Sequence, residues 1–164
     1  MRQIILSVLF SALLVSCEMI NDQNNADEFM SKVISERYNE MFLPDLEPGD
    51  ISTLLSYRNN KTILKKFPTN PISSMIGDSV TVGNIALWTI ESIRISELNG
   101  DTSEFQRFPS LNPMIRDTLH RQMDKFSLQD SASKKYFEWW NNGDLELSDK
   151  LQFNPFKGTN LVWF

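Results

Sequence analysis

The sequence predicts an all-α domain, a compact bundle of short helices around one central apolar helix. Three observations carry this. Apolar residues recur at three- and four-residue steps in segments 27–42 and 132–141. A run near the middle, 82–95, is apolar over most of a helix circumference. Pro44, Pro48-Gly49, Pro68, Asn99-Gly100 and Asn142-Gly143 cut the chain into short pieces.

Residues 1–16 read as a secretory leader. Arg2 gives a positive start, and Ile4 to Val15 form an apolar run shorter than the roughly 20 residues of a membrane span. Leu14-Val15-Ser16-Cys17 resembles the lipobox of bacterial lipoproteins, which implies that the Cys17 thiol takes a lipid and becomes the first mature residue. An ordinary signal peptide that happens to contain a cysteine is the alternative. Residues 17–26 then form the lipidated cysteine and a tether, and 27–164 a single domain. Cys17 is the chain's one cysteine, so the domain has no thiol chemistry and no disulfide, and its core must hold it together.

The first helix is expected over 27–42, with Phe29, Met30, Val33, Ile34, Tyr38 and Met41 inward and Asn25 as N-cap. Asp50 caps a short helix running through Tyr57, with Ile51, Leu54 and Leu55 inward. Another one or two helical turns are expected over 62–67, stopped by Pro68. The central helix follows over 80–97. Val82, Ala86, Ile90 and Ile93 form its stripe, Leu87 widens it, and Asn84, Glu91 and Ser92 mark a wetter side with Trp88 at its border. Gly83 and Ala86 allow a close neighbour, at about 1 kcal/mol of helix propensity for the glycine. A strand pair is the runner-up here, because Val80, Thr81, Val82 and Ile95 are β-branched.

After Pro113, a four-residue beat through Ile115, Leu119, Met123 and Phe126 fits a further helix. Residues 127–133 look like a polar interruption, and 132–141 like the last helix. On that helix Tyr136 and Trp140 share a stripe, and Trp139 falls on the shoulder with Lys135. The irregular tail ends in Leu161-Val162-Trp163-Phe164 and must fold back over the core to hide these residues. Two segments echo each other: Phe67-Pro68-Thr69-Asn70-Pro71 and Phe108-Pro109-Ser110-Leu111-Asn112-Pro113. Their prolines and asparagines make structural corners beside the central helix, a layout like that of helical repeats.

The net charge of -5, about -6 once Arg2 leaves with the leader, and the absence of a polybasic stripe argue against nucleic acid as a partner. His120 is the one histidine, and no Gly-x-Ser-x-Gly elbow accompanies it, so neither a serine triad nor structural zinc is expected. No phosphate cradle or calcium loop is present, and no cofactor or metal is expected. Glu91 and Glu138 are the carboxylates that a hydrolase would use, although Arg94 lies three residues after Glu91 and offers it an ion pair. Trp139, Trp140 and Trp88 form the candidate binding surface, for a protein or as sugar-stacking platforms.

Phe67-Pro68-Thr69-Asn70-Pro71-Ile72-Ser73-Ser74, residues 83–94, Pro109-Ser110-Leu111-Asn112-Pro113 and the tail 154–163 together resemble a family of small exported lipoproteins of unknown function from Bacteroides-type gut bacteria. The resemblance transfers no catalytic residue. It implies a mostly helical envelope domain on a palmitate-type anchor, in the outer membrane, and leaves the periplasmic and cell-surface faces equally open. The reading is a lipid-anchored, noncatalytic interaction or structural module with an envelope protein or a glycan as partner. The alternatives are a glycan-binding accessory protein using exposed tryptophans and a carboxylate-based hydrolase.

Overall fold

The computed structural model describes residues 25–40, 42–68, 80–99, 113–119 and 123–163. In chain order they form α1 (Asn25–Ile34), a 3-10 turn (Pro48–Asp50), α2 (Ile51–Ser56), β1 (Ile63–Leu64), β2 (Val80–Thr81), α3 (Val82–Asn99), β3 (Ile115–Asp117), α4 (Lys125–Trp140), α5 (Leu147–Gln152) and β4 (Leu161–Trp163). The domain is mostly helical, and α3 is the central helix, packed by α1, α2, α4 and α5. β1 pairs antiparallel with β2 and β3 with β4, as two separate ribbons.

α1 is shorter than its periodicity predicts. Glu36 takes the left-handed conformation at φ 53°. This lets Glu36 N–H reach Val33 O at 3.0 Å and Arg37 N–H reach Lys32 O at 2.9 Å, the paired bonds of a Schellman stop. Tyr38 therefore leaves the helix and folds back, its ring edge-on to Phe29 at 4.9 Å. Asn25 lies within the helix rather than capping it. α2 matches its expected span, but the Asp50 carboxylate reaches back to Glu47 N–H at 3.0 Å instead of capping forward.

Two helical expectations are corrected to strand. Ile63 and Leu64 pair with Thr81 and Val80, so the turns expected over 62–67 are extended chain, and α3 starts two residues later than predicted. Ile115–Asp117 is β3, paired with Trp163, Val162 and Leu161, where the four-residue beat suggested a helix. The expected polar interruption is instead the first half of α4, started by the Asp124 carboxylate, which accepts from Phe126 and Ser127 N–H. The tail also holds a short helix, α5, that its weak alternation did not announce.

α3 is buried over most of its first three turns, including Glu91 and Ser92 on the side expected to be wetter, while Asn84 on that side is half-buried. Gly83 is the close-approach point that the sequence suggested. A Cβ there would meet Gln129 Nε2 and lie 2.5 Å from Arg58 O and 2.9 Å from Asn60 O. The tail packs back as expected: Phe156 and Leu161 are buried, and the rings of Trp163 and Trp88 are 4.8 Å apart.

Phe67 is half-buried, packs against the core and stacks on Tyr38 at 6.1 Å. Pro68 is half-buried and Pro113 buried. Asn70, Pro71, Phe108, Pro109 and Asn112 lie outside the described residues, as do Cys17 and His120.

Candidate functional site

Two polar assemblies tie the helices together, and they contain most of the side chains that could carry chemistry. The first surrounds Gly83. Gln129, fully buried on α4, donates from Nε2 to Arg58 O at 3.0 Å and Asn60 O at 3.1 Å, while its Oε1 accepts from the Thr81 hydroxyl at 2.7 Å. Thr81 Oγ1 accepts in turn from Asn84 N–H at 3.1 Å, capping α3, and Ser133 donates to Arg58 O at 2.7 Å. The loop 58–60 has carbonyls that must be bonded once buried, and α4 supplies the donors. Polar residues in the first half of α4 thus face inward for a reason that hydrophobic periodicity does not register.

The second assembly joins α3, α4, α5 and β4. Glu91 and Arg94 form a buried two-bond ion pair, Arg94 Nε to Glu91 Oε2 at 3.0 Å and Nη2 to Oε1 at 2.5 Å. Tyr136 donates its hydroxyl to Glu91 Oε2 at 2.7 Å and accepts from Trp163 Nε1 at 2.7 Å. Arg94 Nη1 reaches Leu151 O at 3.4 Å, while the neighbouring Lys150 O takes the Trp139 indole N–H at 2.8 Å. The carbonyl end of α5 thereby receives a cation and an indole donor, the partners its partial negative charge favours.

Burial, then the charge of Glu91, pushes the Tyr136 hydroxyl well above its ordinary range, so it stays protonated and donating. For Arg94 burial acts to lower the pKa, but the bond and charge of Glu91 outweigh it and the guanidinium is held still more firmly charged. Both Glu91 oxygens are occupied, as its spacing to Arg94 suggested. Glu138 is exposed and drawn below the carboxylate range by its bond to Lys135 at 2.8 Å. A general acid needs the opposite shift.

The tryptophans chosen from sequence separate. Trp88 is 3% exposed and Trp139 8% exposed, so both are core residues and not parts of an open platform. The shoulder assignment on α4 is reversed: Trp139 turns inward with Tyr136 at 5.9 Å, and Trp140 is the half-buried one. Trp140 donates to Ser52 Oγ at 2.9 Å, and Lys150 lies over its ring at 5.5 Å. Trp88 Nε1 and Asn84 Oδ1, one turn apart on α3, are buried and have no bonding partner.

Cations lie beside other rings, of which Phe137 and Phe153 are exposed and Phe126 half-buried. Arg58 sits 4.3 Å from the centroid of Phe137, Lys61 and Lys125 each 5.4 Å from Phe126, and Lys157 5.2 Å from Phe153. A shallow cleft of about 380 Å³ opens between α1 and the loop after it, lined by Glu28, Lys32, Arg37 and Glu40 with Ser31, Tyr38 and Asn39. Its Glu28 is drawn down by bonding to Lys32. Among the described residues no group of three or more His, Cys, Asp or Glu could hold a metal ion, and no helix is long and apolar enough to cross a membrane.

A family model described as a domain of unknown function, DUF4943, matches residues 20–164. No curated protein and no solved structure matches the chain.

Proposed function

The chain belongs to the DUF4943 family, and from that premise we propose that it is a lipid-anchored, noncatalytic interaction or structural module of the cell envelope. The observation that carries the noncatalytic half is the locking of Glu91, Arg94, Tyr136 and Trp163 onto one another inside the core. Groups so engaged serve cohesion, and bonding a substrate would break them apart. The anchor half is supported by Leu14-Val15-Ser16-Cys17, and by a family match that begins at residue 20, just past the point where cleavage before Cys17 would start the mature chain.

Acyl chains on Cys17 would confine the domain to a surface and raise its effective concentration toward partners there. Each buried methylene contributes roughly 0.8 kcal/mol, so more than one chain makes release slow. The outer membrane is the proposed location, with an envelope protein as partner.

Mass measurement of the mature protein tests the anchor. The expected species begins at Cys17 with added acyl mass and sediments with membranes, whereas Cys17→Ala does not. An unmodified Cys17, or a Cys17→Ala chain that partitions unchanged, overturns it. Crosslinking in intact cells is expected to capture one envelope protein reproducibly; hydrolysis of a glycan by the purified domain overturns the noncatalytic reading.

A further inference from the structure

We propose that the face around the start of α1 rests on the headgroup layer of the bilayer holding Cys17, with Arg58 and Phe137 as its contact residues; this rests on the lipid-anchor reading above. A chain of contacts leads from the tether to that face. The tether meets the domain at Asn25, and Asp27, in the first turn of α1, accepts from the Tyr57 hydroxyl at 2.9 Å. Arg58 follows, its guanidinium stacked on the Phe137 ring, which is 44% exposed. Lys61, three residues on, is paired with Asp130 at 2.6 Å and lies over Phe126.

Among the described residues of this face Arg58 is the cation that no carboxylate neutralises. Asp130 is paired with Lys61, while Asp27 is bonded by the Tyr57 hydroxyl, a neutral partner that cancels no charge. Arg58 donates to Leu55 O at 2.7 Å and has no carboxylate partner among the described residues. A guanidinium with spare donors above a half-exposed ring suits a phosphate headgroup with acyl chain beneath it.

Tether length restricts the alternatives. From Cys17 to Asn25 the chain spans at most roughly 30 Å when fully extended. A domain of this length is roughly 40 Å across. Laying its opposite face on the bilayer would take the tether round half the circumference, roughly 60 Å, twice its reach. The hemisphere around Asn25 therefore faces the lipid, and the Asp27–Tyr57 bond followed by the Arg58–Phe137 stack links these two residues to it.

The test uses the full lipidated protein in vesicles of phosphatidylethanolamine and phosphatidylglycerol. Lipidation consumes the one native thiol, so Phe137→Cys, or Ser56→Cys on the same face, gives a single site for a fluorophore. Leu98→Cys marks an exposed position at the other end of α3, roughly 22 Å along the helix from Gly83, which lies against the Arg58 carbonyl. Headgroup-labelled nitroxide lipid is expected to quench position 137 or 56 at least about twofold more than position 98, and adding Arg58→Glu to the Ser56→Cys protein to shrink that difference. Equal quenching, or stronger quenching at 98, overturns the orientation; a difference unchanged by Arg58→Glu removes Arg58 from the contact. Failure of the unlabelled protein to float with vesicles overturns the anchor reading itself, and with it this one.

Discussion

Gly83 and Tyr136 are the residues at which single atoms decide the most. Gly83→Ala gains about 1 kcal/mol of helix propensity but places a methyl group against Gln129 and the Arg58 carbonyl. Overpacking at such a junction costs about 1–3 kcal/mol, and denaturant unfolding should show net destabilisation. Tyr136→Phe leaves Glu91 short of a donor and Trp163 Nε1 without its acceptor, at a cost of about 1–3 kcal/mol. It should also alter the alkaline limb. The folded state keeps the Tyr136 proton after the unfolded chain releases it near 10.0. That contribution is complete below this pH and declines as pH rises toward the folded value. Unfolding free energy in Tyr136→Phe should fall less steeply above this point, the remaining tyrosine slope coming from Tyr38, pushed up to about 12 by burial and then by Glu40, and from Tyr57, raised by burial and then by its bond to Asp27. The Glu91–Arg94 pair was legible in the sequence from spacing. Its coupling to Tyr136 and Trp163 was not, because those bonds cross between elements that no local pattern relates.

At the scale of elements, the sequence announced helices with long apolar stripes and missed those organised by polar bonds. α3 was found because Ile85, Ala86, Leu87 and Trp88 in succession defeat strand alternation. The first half of α4 was missed because Gln129 and Ser133 read as solvent-facing, although Asp124 with Ser127 three residues on is a cap signal that could have shown the start. Asp124→Ala should remove the cap and lower the midpoint of thermal or denaturant unfolding. The carboxylate is held below its ordinary range by the Ser127 hydroxyl first and by the Ser127 and Phe126 N–H groups. Its capping contribution is therefore present above the ordinary value of 3.8 and fades as pH falls toward the folded value. The ribbons were illegible for a plainer reason: β1 and β2 have two residues each, β3 has three, and alternation needs more. α1 was overrun because Glu36 gives no sign of the left-handed conformation that usually calls for glycine.

The whole molecule is closed by its last segment. β4 pairs with β3, Trp163 stacks on Trp88 and bonds Tyr136, and Phe156 fills the space beside that tyrosine at 5.3 Å. Truncation after Asn160 should uncover Trp88 and the β3 edge, broaden the unfolding transition and raise binding of an apolar dye. The helical class was legible from composition and periodicity, and so was the return of the tail, since four terminal apolar residues need cover. The tryptophan surface was not, because rim and interior indoles look alike until their neighbours across the chain are known. Because β3 meets its partner only across a long stretch of intervening chain, the ribbon that covers Trp88 cannot form by local folding. Its closure should come late in refolding, and a kinetic probe at Trp163 should lag the formation of helix.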